Sequence, residues 1–438
     1  MSDLESDIRG EGWMEPFYFS GKDGFLADNG TEFVEIGVRS MRTRLTEIDL
    51  GGLTVEQALV QIENQRYVTY RGPAAGSDKG LIVTSEGVKL LVTQSPTVIK
   101  AQPGDYPTIR SFLDNMLGAE QLVYFMGWLK CSRVAMLKRK HAPGHFLGLA
   151  GPKGTAKTQL IHLIIVPSMG SRSASCAKYF GGANFNAELL RAEVLVIDDD
   201  DFSSKAASRQ RVKQLVKSLL FSSAPQFEGK YKEPFSYRTV TRIVGACNLD
   251  EGDLRAFPLV DSGTDDKLMF LMCSPAFDKE PTDEEFEEWK RKIAAELPAF
   301  LFDVERFEIP EPLQASRGMI KAFRHPEIMR LISEQEGWRS LMELVNLLDS
   351  YDDPATGALL FERPWRGGAS KLASLLLQCP ATRDMARPLI GTYTPKCGIL
   401  LTEAAGHPES GVSVVGKHSD TNSYEIVKVE KPEERDPF

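Results

Sequence analysis

Gly151-Pro152-Lys153-Gly154-Thr155-Ala156-Lys157-Thr158 decides how this chain is read, together with Val194-Leu195-Val196-Ile197-Asp198-Asp199-Asp200-Asp201 about forty residues later. The first stretch follows Phe146-Leu147-Gly148-Leu149-Ala150, an apolar run of strand length. It precedes Gln159-Leu160-Ile161-His162-Leu163-Ile164-Ile165, which reads as a buried helix. Strand, glycine loop and helix are the setting of a phosphate-binding loop, in which backbone N–H groups from Gly151 to Thr158 cradle the phosphates. Lys157 then reaches the β and γ phosphates and the Thr158 hydroxyl ligates magnesium. The loop departs from the GxxxxGK[ST] pattern at Ala156, where glycine is usual. A methyl group is tolerated there on condition that the residue takes helical dihedrals.

The second stretch is four apolar residues ending in Asp198 and Asp199. It predicts a buried strand whose carboxylates emerge at its C-terminal end, where ligands sit in open α/β sheets. Asp198 is read as holding magnesium through water and Asp199 as polarising the attacking water. The competing reading, a solvated acidic turn, is weaker after so apolar a strand. A third strand, Arg242-Ile243-Val244-Gly245-Ala246-Cys247-Asn248, ends in an amide. If this strand lies between the other two, Asn248 orients the lytic water or touches the γ-phosphate; alone it would read as a turn former.

These strands, with helical stretches between them, predict a mostly parallel sheet flanked by helices in an α/β domain from about 143 to 310. Before it, apolar residues from Ile109 to Leu137 recur at helical spacing and predict two helices over 108–142, either core or an assembly collar. Residues 1–107 read as a mixed α/β region of unclear role. It has a hairpin around Gly21-Lys22-Asp23-Gly24, a helix from Val55 to Ile62 and strand-like Gly80 to Val92, and no acidic constellation suited to nucleotidyl transfer. Over 315–430, helices at Pro326 to Ser333, Trp338 to Leu348 and Ala369 to Gln378 are followed by strand-like Gly398 to Leu401, Val412 to Val415 and Tyr424 to Val427. That is a winged-helix-like pattern. Residues 431–438 read as a tail.

With 438 residues and 42% hydrophobic content the chain has material for two or three cored domains. No apolar run spans a membrane and the acidic N-terminus is unlike a secretory signal, so the expected location is the cytoplasm. The six scattered cysteines read as reduced thiols. A net charge of −9 excludes a protein that coats nucleic acid by bulk charge, so any such contact must be local. Local basic segments do occur between the second and third strands. Ser208 to Lys217 is one, and Phe227-Glu228-Gly229-Lys230-Tyr231-Lys232 is the other. In the latter Phe227, Lys230, Tyr231 and Lys232 suit phosphate contact and base stacking along a single strand.

As an ordered set, Gly151 to Gln159, Val194 to Asp199 and Ala246 to Asn248 resemble the Walker A, Walker B and sensor 1 motifs of AAA+ ATPases. They are most similar to superfamily 3 helicases and to the helicase part of phage and plasmid primase-helicase proteins. Alanine before the loop lysine also resembles minichromosome maintenance helicases, and Phe185 to Leu190 looks like the phage-type segment leading into Walker B. The resemblance covers roughly residues 110 to 310. It implies a P-loop ATPase using ATP and Mg2+, and a homo-oligomer, a hexameric ring gripping single-stranded DNA with a hairpin from each subunit. A separate primase or replisome protein is a further implied partner. It also implies a basic finger after sensor 1 that reaches a neighbour's γ-phosphate, for which Lys267 is the first candidate and Arg255 the second. A lysine there lacks the bidentate fork of arginine. The reading is an ATP-dependent DNA helicase or translocase of a phage or mobile element. The alternative is a nucleotide-switched replication initiator or loader that binds duplex DNA without unwinding. A small-molecule kinase is disfavoured because no arginine-rich lid is in view.

Overall fold

The computed structural model describes residues 12–21, 23–176, 186–197, 212–222, 225–228, 234–249, 257, 264, 266–277, 279, 281–316, 319–351, 359–391, 394–406, 410–418 and 421–427. Its N-terminal part begins with an antiparallel sheet of β1 (Phe17–Ser20), β2 (Gly24–Asp28) and β3 (Phe33–Ile36). Helices α1 (Val38–Thr46) and α2 (Val55–Gln65) pack on it, and the start of α2 is closed by reciprocal hydrogen bonds between Thr54 and Gln57. A second small sheet has the order β4 (Tyr70–Gly72), β6 (Lys89–Val92), β5 (Gly80–Val83). The hairpin and the Val55 helix are where the sequence pattern places them.

The centre of the molecule is a five-stranded parallel sheet. Strands β7 (Phe146–Ala150), β9 (Val194–Ile197) and β12 (Arg242–Cys247) are buried at every position, the signature of strands covered on both faces. Two strands lay outside the sequence reading: β8 (Ser173–Ser175) and β13 (Leu268–Met272). β13 is as apolar as β7 and was legible; β8 is a polar edge strand of three residues and offers no pattern. The spatial order is β13-β7-β12-β9-β8, with all four pairings parallel. β12 therefore lies between the strand feeding the glycine loop and the strand ending at Ile197.

Alternate residues send side chains into two cores. Leu147, Leu149, Val244, Ala246, Met269 and Leu271 face one, which contains the stripe of helix α3 (Pro107–Leu137) and the buried side of the helix Asp283–Arg306. Phe146, Leu195, Ile243, Cys247 and Phe270 face the other, closed by Val212 to Leu220 and by Ile328 and Ile332. α3 is two helical stretches joined at Gly118, whose φ of 67° suits only glycine without strain, so two helices do occupy this region. Glu296 accepts hydrogen bonds from the Thr108 hydroxyl and from the Ile109 N–H, locking the start of α3 to the helix Asp283–Arg306.

The C-terminal part has its own core. One helix, Pro326–Asp349, occupies the region where two were expected. Gly398 to Leu401 is helical, within Thr394–Ala405, rather than a strand. Cys397, Leu400, Leu401 and Ala404 are all buried there, a helical recurrence that a four-residue apolar window does not display. Helices Ala369–Gln378 and Arg383–Ile390 complete the packing. An antiparallel sheet follows, with β14 (Trp365–Gly368), β16 (Thr421–Ile426) and β15 (Val412–His418) in that spatial order. Among the described residues no helix is long and apolar enough to cross a membrane, and no cysteine is in a disulfide.

Candidate nucleotide site

The glycine loop leaves the C-terminal end of β7. Its first residue is dictated by the neighbouring strand: Cys273 N–H donates to Ala150 O at 2.6 Å, and a Cβ on Gly151 would sit 2.2 Å from Cys273 O. Pro152, Lys153 and Gly154 are exposed, with Gly154 at φ +83°. Thr155 turns inward, fully buried, and its hydroxyl donates to Pro152 O at 2.9 Å. Ala156 has φ 62° and ψ 26°, so it is left-handed, not helical as the tolerance of its methyl group required. The loop enforces on alanine the conformation glycine takes freely, at a cost of roughly 1–2 kcal/mol. The helix then starts at Lys157, with Thr158 exposed on its first turn. It runs through a wide π-type turn over Leu160–Ile165 to Ser168, burying Leu160, Ile161, Ile164 and Ile165.

Lys157 is 7% exposed and its ammonium points into the loop. It donates to Gly151 O at 2.9 Å, Pro152 O at 3.0 Å, Thr155 Oγ1 at 3.1 Å and Asn248 Oδ1 at 3.1 Å. The last contact joins two motifs ninety-one residues apart. It follows from register: Cys247 pairs with Ala150, which sets Asn248 beside Gly151. On the other side of β12, Gly245 pairs with Ile197, so β9 ends at the same edge of the sheet, one residue before Asp198. Every acceptor of Lys157 is an uncharged oxygen. A buried ammonium held only by neutral dipoles retains its attraction for an anion. Cys273, packed against the loop, carries a thiol pushed up to about 12 by burial, so it stays neutral beside the lysine.

Of the other site residues, Asp198, Asp199, Lys230, Tyr231, Lys232 and Arg255 lie outside the described residues. Phe227 is corrected: its side chain is fully buried, against Phe235 at a ring separation of 6.1 Å, so no base can stack on it. It anchors the hairpin of β10 (Gln226–Phe227) and β11 (Phe235–Ser236). The segment before β9 braces that hairpin, with Asn186 Nδ2 donating to Gln226 O at 2.9 Å and Glu228 N donating to Asn186 Oδ1 at 2.7 Å. Lys267 precedes β13 at the far edge of the sheet, where its carbonyl accepts from Phe146 N–H at 2.9 Å. Its ammonium pairs with Asp266 at 2.5 Å and lies 4.8 Å from the Phe221 ring centroid, and this pairing holds the Asp266 carboxyl below its ordinary range.

A buried cation near the sheet also escaped the sequence reading. Arg242, the first residue of β12, is completely buried, and a single cation opening an apolar strand was the signal. Its Nε donates to Ser132 Oγ at 3.1 Å and its Nη1 to Thr241 O at 3.1 Å, while Nη2 has no hydrogen-bond partner.

No protein-family model matches this chain, and no curated protein matches it in sequence. Among solved structures, the apo C-terminal region (305–718) of NrS-1 is similar over 94% of this chain and 96% of that one, at 13% identity and a TM-score of 0.51. An A-form apo structure of the same region gives 12% identity, the same coverage and a TM-score of 0.49. JCV helicase, solved with a bound acetamide compound, is similar over 54% of this chain and 63% of that one, at 15% identity and a TM-score of 0.31. The first of these shows that the chain shares the overall fold of the NrS-1 region.

Proposed function

We propose that this chain is an ATP-driven DNA helicase or translocase serving replication of a phage or mobile element, acting in the bacterial cytoplasm as a ring, hexameric by the family resemblance. The observation that carries the reading is the Lys157 ammonium bridging the glycine loop to Asn248, with β9 ending beside them.

The residues present fit a nucleotide. The loop encloses a buried cation with no charged acceptor among the described residues, and it opens onto a helix start, a favourable pole for phosphate. ATP bound with Mg2+ would supply the phosphoryl group whose hydrolysis drives movement. Lys157 exchanges its loop carbonyls for phosphate oxygens, and the exposed Thr158 hydroxyl is the metal ligand nearest the loop. Asn248, held against Lys157, orients the attacking water. Asp198 and Asp199, next in sequence after β9, take the metal and water-polarising roles. Lys230, Tyr231 and Lys232 grip single-stranded DNA from the hairpin whose base Phe227 anchors. Lys267 or Arg255 is the finger toward a neighbouring subunit, and a separate primase is the natural partner.

Purified protein should release phosphate from ATP with magnesium, faster with single-stranded DNA, and Lys157→Ala should remove at least about 99% of that rate. Hydrolysis indifferent to DNA, with no strand displacement, would remove the helicase reading. Light scattering with a non-hydrolysable ATP analogue should show a ring; a monomer under all conditions would undercut an inter-subunit site. One observation favours a second reading: the separately cored C-terminal unit, with four helices before the β15–β16 hairpin, fits a winged helix that recognises duplex DNA. A footprint on a specific duplex without unwinding would favour an initiator or loader.

A further inference from the structure

The N-terminal edge of the parallel sheet carries a second concentration of positive charge, opposite the glycine loop. A cleft of about 600 Å³ opens there between the C-terminal turn of α3 and the segment after the helix Asp283–Arg306. That size is in the range of small-molecule sites, roughly 300–1,000 Å³. Lys130, Lys138, Lys140 and His141 line it, against a single carboxylate, Glu308. Lys130 is committed to the Phe307 carbonyl. Lys138 and Lys140 are exposed and pair with no carboxylate among the described residues. Between these charges the lining is largely apolar, with Val134, Pro143, Ile309 and Met319.

Arg242 lies directly behind this cleft. Its Nε bonds to Ser132, the neighbour of the lining residue Cys131, and a Cβ on Gly144 would meet its Nε at 2.7 Å. Its positive charge, together with burial as the larger cause, lowers the proton affinity of the lining residue His141. Burial alone pushes the guanidinium down to about 10. A fully buried cation with an unpartnered nitrogen and no carboxylate partner among the described residues is strongly unfavourable unless an anion approaches it. Nothing in the nucleotide site uses it.

We propose that this cleft binds a nucleotide-type phosphate ester, its phosphate at Lys138, Lys140 and His141 in front of Arg242 and its flat body against the apolar part of the lining. The phosphate supplies the charge that Arg242 lacks, and the apolar walls cover a base. A free nucleotide and the phosphorylated end of a single strand present the same chemistry.

The test is calorimetric titration of the full chain carrying Lys157→Ala, which weakens the glycine loop as a competing site. The probes are AMP, 5′-phosphorylated trithymidylate and unphosphorylated trithymidylate. At least one phosphorylated probe should bind, and the unphosphorylated one at least tenfold more weakly. Adding Lys138→Glu and Lys140→Glu, both on the surface, should cost tenfold or more in affinity with the thermal melt unchanged. Tighter binding of the phosphorylated trinucleotide assigns the site to a strand end, and tighter binding of AMP assigns it to a free nucleotide. Arg242→Met, which removes the buried charge at similar volume, should fold and bind at least tenfold more weakly. Absence of binding by either phosphorylated probe, equal binding of the unphosphorylated one, or indifference to the double charge reversal would overturn the proposal. These measurements involve no hydrolysis, so failure of the helicase reading would leave them standing.

Discussion

Lys157 and Arg242 are buried cations at opposite edges of adjacent strands, and they are solvated in different ways. Lys157, at the C-terminal edge, has four uncharged oxygens within 3.1 Å of one ammonium. Arg242, at the N-terminal edge, has two uncharged acceptors for three nitrogens and leaves Nη2 unsatisfied. Neither has a carboxylate partner among the described residues. The difference lies in the backbone around each. The glycine loop curls its own carbonyls toward the ammonium, so the site is stable empty and can exchange those dipoles for phosphate. The straight start of a β-strand offers no such curl, and the guanidinium remains under-compensated. A preorganised cradle and an uncompensated charge both attract anions, but only the first does so without strain in the empty state.

Gly151→Ala should break the C-terminal edge most severely. The added methyl meets Cys273 O at 2.2 Å, which forces β13 away from β7 and should lower stability by about 3 kcal/mol, read as a shift in the urea midpoint. The opposite edge is probed by pH. Burial pushes His145 down from 6.5 to about 4, with the charge of Arg242 as a smaller contribution. The unfolded chain takes up a proton that the folded state refuses, so stability is full above pH 6.5, is lost as pH falls toward 4, and is level below. The total loss is on the order of 3 kcal/mol, and His145→Phe should flatten that part of the stability profile. Asn248→Ala removes one uncharged acceptor from Lys157 and should slow ATP hydrolysis about tenfold to a hundredfold with the urea midpoint nearly unchanged. An unchanged rate would mean the contact is only structural. The smallest effect is expected from Ala156→Gly, which relieves a left-handed alanine and should raise stability by about 1 kcal/mol while preserving the cradle.

What was legible in the sequence was local. Apolar runs of strand length marked β7, β9 and β12, and the loop's glycines and lysine marked its end of the sheet. An apolar run of strand length is written within a few residues. β13 was equally readable from Leu268 to Met272, a run as apolar as β7. Phe227 was misassigned because an aromatic beside lysines has the same composition whether it faces solvent or a core; its burial depends on Phe235, eight residues on. Gly398 to Leu401 misleads for a different reason: four residues are barely more than one helical turn, too few for a helical recurrence to show.

The sequence by itself determined that a strand, a phosphate-type loop and a helix follow one another, and that two further apolar strands end in Asp198 and Asn248. Only the tertiary structure decided that β12, last of the three in the chain, inserts between the other two and brings Asn248 within 3.1 Å of Lys157. It also decided that Lys267 and Arg242 stand at the far edge and that Ala156 is held left-handed. The physical reason is that strand order is a long-range choice, made by which faces can be buried together and by right-handed parallel crossovers, and no local run of residues records it.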